Sequence, residues 1–297
     1  MFGSLIRYVP KNFMAKKLYN HFTAGETIKT LENKIENLSK SNLLAIPDLI
    51  KEKTEIPSEI DKIVQEYKDL AESQKFKYVA LKLSSFDFDY VKINNVIDHM
   101  ISKNKTVMID AEEVNVQDKI NDMTNSFLQT YNKDKINIFK TYQMYREDSL
   151  ERMKKDISTY PFLGIKLVRG AYHSRDYNTL KLYIKKEETD RDYEKAMDII
   201  SEQIKSNSAK NQLNSFICTH NQKNISQIIE KSNNFPMLKD NLFHASLYGF
   251  IQNDTQRLID SKILTYKYLP YGQVNDSIPY LMRRLEENPK IIKYLFT

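Results

Sequence analysis

The chain has 297 residues, with 45 Lys+Arg against 39 Asp+Glu for a net charge of +6, a single cysteine and only six glycines, where average usage would give about 20. Cys218 alone excludes an intrachain disulfide and any paired-cysteine metal or redox motif. The glycines (Gly3, Gly25, Gly164, Gly170, Gly249 and Gly272) fit neither GxGxxG nor GxxxxGK[ST], so both glycine-rich nucleotide loops are excluded.

The first 25 residues carry Arg7, Lys11, Lys16 and Lys17 and no acid before Glu26. That composition is shared by organelle presequences and by basic first helices that are retained. From there, short apolar runs alternate with segments of helical period. The runs are 43–50, 78–84, 106–112, 136–142, 162–168, 216–220, 242–248 and 264–270, rich in β-branched and aromatic residues. The amphipathic segments between them include 57–74, 89–103, 113–132, 188–206 and 222–232; in the first, Ile60, Ile63, Val64, Tyr67 and Leu70 share one face. Strict alternation implies parallel strands joined by right-handed crossovers. Eight repeats predict an α/β fold, a closed (β/α)8 TIM-like barrel over 41–297 as a single domain, preceded by a basic helical segment over 1–40. With mean hydropathy at −0.58 and no apolar run of about 18 residues, no membrane-spanning helix is expected.

A barrel gathers the polar residues at its strand ends into one site. Those residues are Lys82, Asp110, Glu112, Tyr142, Gln143, Lys166, Arg169, Thr219, His220 and Tyr268. Ionisable groups at such positions are costly unless paired. They either pair with one another or receive an anionic or zwitterionic ligand. Elsewhere the two signs are interleaved, which suits a solvated lysine-rich surface and argues against a nucleic-acid partner.

Two segments, GIKLVRGAY (164–172) and YLPYGQVNDSIPYLMRRLEEN (268–288), resemble the signatures of proline dehydrogenase. The resemblance continues in order through AGETI (24–28), ALKLS (80–84), IDAEE (109–113), FKTYQMY (139–145), ETDRDY (188–193) and CTHN (218–221). The KLVRGAY form is similar to monofunctional members. One departure stands out: FHASLYG (243–249) places His244 and Ala245 where the family usually has a Gly-Gln-like pair.

The resemblance implies a distorted barrel with a final helix over its mouth, holding FAD non-covalently. It implies oxidation of L-proline to Δ1-pyrroline-5-carboxylate by hydride transfer from C5 to the flavin N5. Electrons would then pass to a membrane quinone, and the product to a pyrroline-5-carboxylate dehydrogenase. A bacterial protein of this kind would be cytoplasmic or peripheral on the inner membrane face, a eukaryotic one mitochondrial; residues 1–22 are a candidate for membrane contact.

Residue by residue, the resemblance assigns Arg283, Arg284 and Lys82 to the substrate carboxylate, for which guanidinium pairs have the right bidentate geometry. Tyr268 would face the substrate ring and favour proline over hydroxyproline, and Glu52 would pair with a site arginine. Lys166 and Asp110 become the catalytic pair, with Lys166 beside the flavin. Ala111 and Gln143 would line the isoalloxazine, Arg169, Gly170, Ala171 and Tyr172 the diphosphate, and Thr219 and His220 the adenosine half. No metal is implied. A degenerate barrel that binds proline without oxidising it is the competing reading.

Overall fold

A computed structural model describes residues 11–51, 54–171, 181–250, 254–277 and 281–282, with side chains from Lys16 onward. Eight parallel strands close into a barrel in sequence order. They are β1 (Leu44–Leu49), β2 (Tyr78–Leu81), β3 (Thr106–Ile109), β4 (Ile138–Gln143), β5 (Phe162–Val168), β6 (Gln212–Cys218), β7 (Leu242–Leu247) and β8 (Thr265–Tyr271). Pairing of β1 with β8, from Leu44 opposite Tyr266 to Leu49 opposite Tyr271, seals the ring.

The helices between the strands are α3 (Pro57–Ala71), α4 (Tyr90–Ser102), α5 (Val114–Tyr131), α6 (Ser149–Thr159), α7 (Lys186–Lys205), α8 (Gln222–Asn234) and α9 (Thr255–Asp260); α1 (Lys11–Phe22) and α2 (Ile28–Ser39) precede β1. Their starts are locally encoded. Pro57 stands in the first turn of α3, the Asp89 side chain accepts from the Lys92 amide at α4, and Asn221 does the same for the first amides of α8.

Period-two alternation divides each strand between two cores. One set of side chains, including Leu81, Ile109, Ile138, Leu167, Ile217 and Leu269, packs outward against the helices. The inward set carries an aromatic plug of Tyr78, Phe139, Phe216, Phe243 and Tyr266. Tyr78 and Phe216 meet edge to face with centroids 4.9 Å apart. A Cβ at Gly164 would fall 2.6 Å from the Phe139 ring, so that position takes the residue without a side chain. With the barrel interior filled, a ligand is left the carboxyl end of the strands.

The expected strands all form, with boundaries that move by two or more residues in four of them; β4 begins at Ile138 rather than 136. β2 stops at Leu81 and gives way to a 3-10 turn, Leu83–Phe86. β3 stops at Ile109, where Asp110 turns into the site. β6 begins at Gln212 rather than 216, because its polar start pairs with β5 from Phe162 opposite Gln212 onward and carries no apolar signal. The unusual seventh unit is intact: His244 is buried in β7 with Nε2 3.0 Å from the Thr219 carbonyl oxygen.

The basic first helix packs on the mouth side. Leu18, Tyr19 and Phe22 of α1 are buried with Ile50 and Leu281, the Tyr19 hydroxyl donates to the Gly272 carbonyl at 2.9 Å, and His21 Nε2 lies 2.7 Å from the Gly249 oxygen. The bulk of the expected final helix lies outside the described residues. Among the described residues no helix is long and apolar enough to cross a membrane.

Candidate active site

The carboxyl ends of the strands surround a cavity of about 600 Å³. The site residues that the resemblance assigns, where they fall among the described ones, all line it: Lys82, Asp110, Ala111, Gln143, Lys166, Arg169, Gly170, Ala171, Thr219, His220 and Tyr268; of the strand-end residues, Glu112 and Tyr142 do not. Glu52, Tyr172, Arg283 and Arg284 lie outside the described residues. Tyr142 is a correction. Strand alternation sends Thr141 and Gln143 to the cavity and Tyr142 outward, where its hydroxyl donates to Asp156 at 2.6 Å beside Lys140.

Asp110 is the centre of the charged wall. Lys166 Nζ lies 2.6 Å from its Oδ1, the Tyr268 hydroxyl lies 2.6 Å from both carboxylate oxygens, and Lys82 Nζ is 3.7 Å from Oδ2. Lys166 also sits 4.2 Å from the centroid of the Tyr268 ring, a cation–π contact that fixes the ring's tilt. The closer partner of Lys82 is Asp48, which is 1% exposed and belongs to the otherwise apolar strand LAIPDL. Asp48 is a site residue that the sequence reading passed over; an acid inside an apolar strand run was the signal.

Of the two readings for the strand-end charges, mutual pairing is the one the contacts bear out. The two lysines and two aspartates do neutralise each other, and all four still border the cavity. Burial disfavours ionisation of both carboxyls. At Asp110 the two lysines and the Tyr268 hydroxyl outweigh burial and hold the pKa below the ordinary value. At Asp48 burial prevails over Lys82, with the charge of Asp110 adding to it, and the pKa rises.

On the opposite wall Arg169 is held from three sides. Its Nε donates to Asp190 at 2.7 Å, Nη1 to Thr219 Oγ1 at 3.2 Å and Nη2 to Asn224 Oδ1 at 2.6 Å, and the guanidinium stacks over Tyr193 at 4.2 Å. Asp190, near the start of α7, and Asn224, in the first turn of α8, are further contributors that strand-end reasoning misses. Gly170, with φ +121°, is in the region that side chains rarely adopt, and a Cβ there would lie 2.2 Å from the Tyr145 ring.

These groups fit a flavin dinucleotide. Gln143 Nε2 donates to the Glu112 carbonyl at 3.2 Å, while its Oε1 is buried with no hydrogen-bond partner among the described residues. An orphaned acceptor in a cavity wall suits the N–H edge of a planar heterocycle. Arg169 and the glycine turn beside it offer a cation and close backbone approach to a diphosphate.

A family model described as proline dehydrogenase matches residues 31–294. The carbapenem antibiotics biosynthesis protein CarD of Pectobacterium carotovorum subsp. carotovorum is 25% identical over 90% of this chain and 78% of its own length. Mitochondrial proline dehydrogenase 1 of Caenorhabditis elegans is 29% identical over 67% of this chain and 34% of its own; that of Dictyostelium discoideum is 31% identical over 63% and 35%. The chain thus spans about a third of these mitochondrial relatives. Among solved structures, proline utilization A from Bdellovibrio bacteriovorus, inactivated by N-propargylglycine, superposes with a TM-score of 0.81 at 20% identity, covering 97% of this chain and 34% of that one.

Proposed function

The chain belongs to the proline dehydrogenase family, and from that premise we propose that it oxidises L-proline to Δ1-pyrroline-5-carboxylate, the first step of proline catabolism, with FAD held non-covalently and a quinone as electron acceptor. The observation that carries the reading is the convergence of all the described site residues on one cavity at the barrel mouth.

Proline enters as a zwitterion, so its carboxylate needs cations. Lys82, paired with Asp48 and close to Asp110, supplies one; Arg283 and Arg284 supply the others. FAD, when bound, provides the two-electron acceptor for the C5 hydride. As the hydride leaves C5 and the amine proton goes to solvent, a C5–N double bond remains. Tyr268 presents its ring to the substrate and is kept from swinging by the bond to Asp110. A fixed tyrosine there leaves little room for a 4-hydroxyl, which favours proline over its hydroxylated relative. Lys166, held by Asp110, would offer a cation to stabilise the negative charge of a reduced flavin. Gln143 and Arg169 orient the cofactor from its two ends.

The visible spectrum tests the reading. The purified protein is expected to show flavin absorbance that L-proline bleaches without oxygen and that a soluble quinone analogue restores. A protein that stays colourless and inactive after FAD is supplied overturns it.

A further inference from the structure

The loop after β3 serves two walls of the site. Asp110 points into the cavity, but Glu112, two residues on, turns its carboxylate toward the neighbouring unit. One carboxylate oxygen accepts from the Ser84 backbone N–H at 3.2 Å and the other from the Ser84 hydroxyl at 2.5 Å. Ser84 is the second residue of the 3-10 turn Leu83–Phe86, which begins directly after Lys82, and Lys82 gives that turn no side-chain cap. Helical turns leave their first N–H groups unpaired, so this one is capped by an acid 28 residues away.

Glu112 is itself fixed. Its N–H donates to Gln117 Oε1 at 2.7 Å, Gln117 Nε2 donates to Asn121 at 3.1 Å, and its carbonyl accepts from Gln143 Nε2 at 3.2 Å. A residue that is not part of the cavity wall therefore touches both the turn bearing Lys82 and the glutamine on the flavin side.

We propose that Glu112 is a positioning residue: by capping the turn after Lys82 it sets where the lysine ammonium stands for the substrate carboxylate. The proposal deepens the proline reading and rests on it for the role of Lys82. Glu112 acts here as a hydrogen-bond acceptor rather than as a charge facing the substrate. A glutamine preserves that function, since its oxygen accepts from the Ser84 amide and its NH2 donates to the Ser84 hydroxyl.

Two measurements on the flavin-loaded protein test this. In steady state with L-proline, Glu112→Ala is expected to raise KM about tenfold while kcat changes less than about threefold and flavin absorbance is kept; Glu112→Gln is expected to return KM to within about twofold of the parent. Independently of activity, reductive methylation read by mass spectrometry is expected to label Lys82 several times faster in Glu112→Ala than in the parent or in Glu112→Gln.

Unchanged KM and unchanged Lys82 labelling in Glu112→Ala overturn the proposal. So does a Glu112→Gln variant as impaired as Glu112→Ala with Lys82 still protected, because charge would then be the operative property. If Glu112→Ala does not fold, Ser84→Ala removes one of the two bonds and is expected to shift KM and labelling in the same directions, no shift again overturning it. A parent protein that fails to oxidise proline refutes the functional reading, while Lys82 labelling still decides the positioning role.

Discussion

The hydroxyl of Tyr268 stands 2.6 Å from each carboxylate oxygen of Asp110, joining β8 to the end of β3 across 158 residues of sequence. That bond holds an aromatic wall of the cavity against the carboxylate that also fixes Lys166. Removing only the hydroxyl, in Tyr268→Phe, leaves the ring volume and deletes a hydrogen bond to a charged group. Such bonds contribute about 1.5–3 kcal/mol, so kcat/KM for L-proline is expected to fall about ten- to a hundredfold. Steady-state kinetics check this; an unchanged kcat/KM means the bond has no part in the reaction.

Lys82, partly exposed, pairs with the fully buried Asp48, and breaking such a pair by removing the lysine costs more than deleting both partners. Lys82→Met is expected to destabilise the fold by about 3 kcal/mol near neutral pH because it strands the Asp48 carboxylate. The double variant Lys82→Met/Asp48→Leu is expected to recover most of that loss. Burial already raises the Asp48 pKa, so the cost in Lys82→Met shrinks at acid pH as the stranded group takes up a proton. Urea unfolding of the three proteins at two pH values measures the cycle, and additive losses in the double variant contradict it.

Gly170 carries a claim about the cofactor. An alanine there combines φ +121° with a Cβ 2.2 Å from the Tyr145 ring, so the Arg169–Ala171 turn must shift. Gly170→Ala is expected to reduce bound flavin per protein several-fold while the barrel, followed by far-UV circular dichroism, persists. Trimming the obstruction in Gly170→Ala/Tyr145→Ala relieves the contact but not the backbone strain, and only partial recovery is expected. Full flavin content in the single variant refutes the assignment.

Lys267 of β8 is buried, with its Nζ 3.0 Å from Ser246 Oγ, and burial lowers its pKa from 10.5 to about 8. A lysine whose native pKa is depressed binds fewer protons folded than unfolded between those values. Its contribution to stability therefore rises with pH from about 8 toward 10.5. Below pH 8 the buried charge is a net cost. Relative to Lys267→Met, the parent is expected to gain up to about 3 kcal/mol across the window. Parallel unfolding curves for the two proteins from pH 7 to 10 would contradict it.

Much of this protein is legible in its sequence. Alternation of short apolar runs with helical segments determined the eight-fold parallel barrel, because a strand and a helix each repeat their buried residues at their own period and only a crossover joins parallel neighbours. Strand-end reasoning then collected Lys82, Asp110, Gln143, Lys166, Arg169 and Tyr268 on the right end of the barrel, and the motifs supplied the family. What one-dimensional pattern could not decide was pairing. Asp48 chooses Lys82, Glu112 caps a turn 28 residues away, Asn224 and Asp190 grip Arg169, and Tyr142 turns its back on the site. For Asp48 and Tyr142 the choice depends on which of two alternating strand faces the residue occupies; for Glu112, Asp190 and Asn224 it depends on where their loop and helices meet the strand ends, and the register between neighbouring strands governs both. A one-residue shift reverses the face, and the register is set by the closing of the barrel, not by any segment alone.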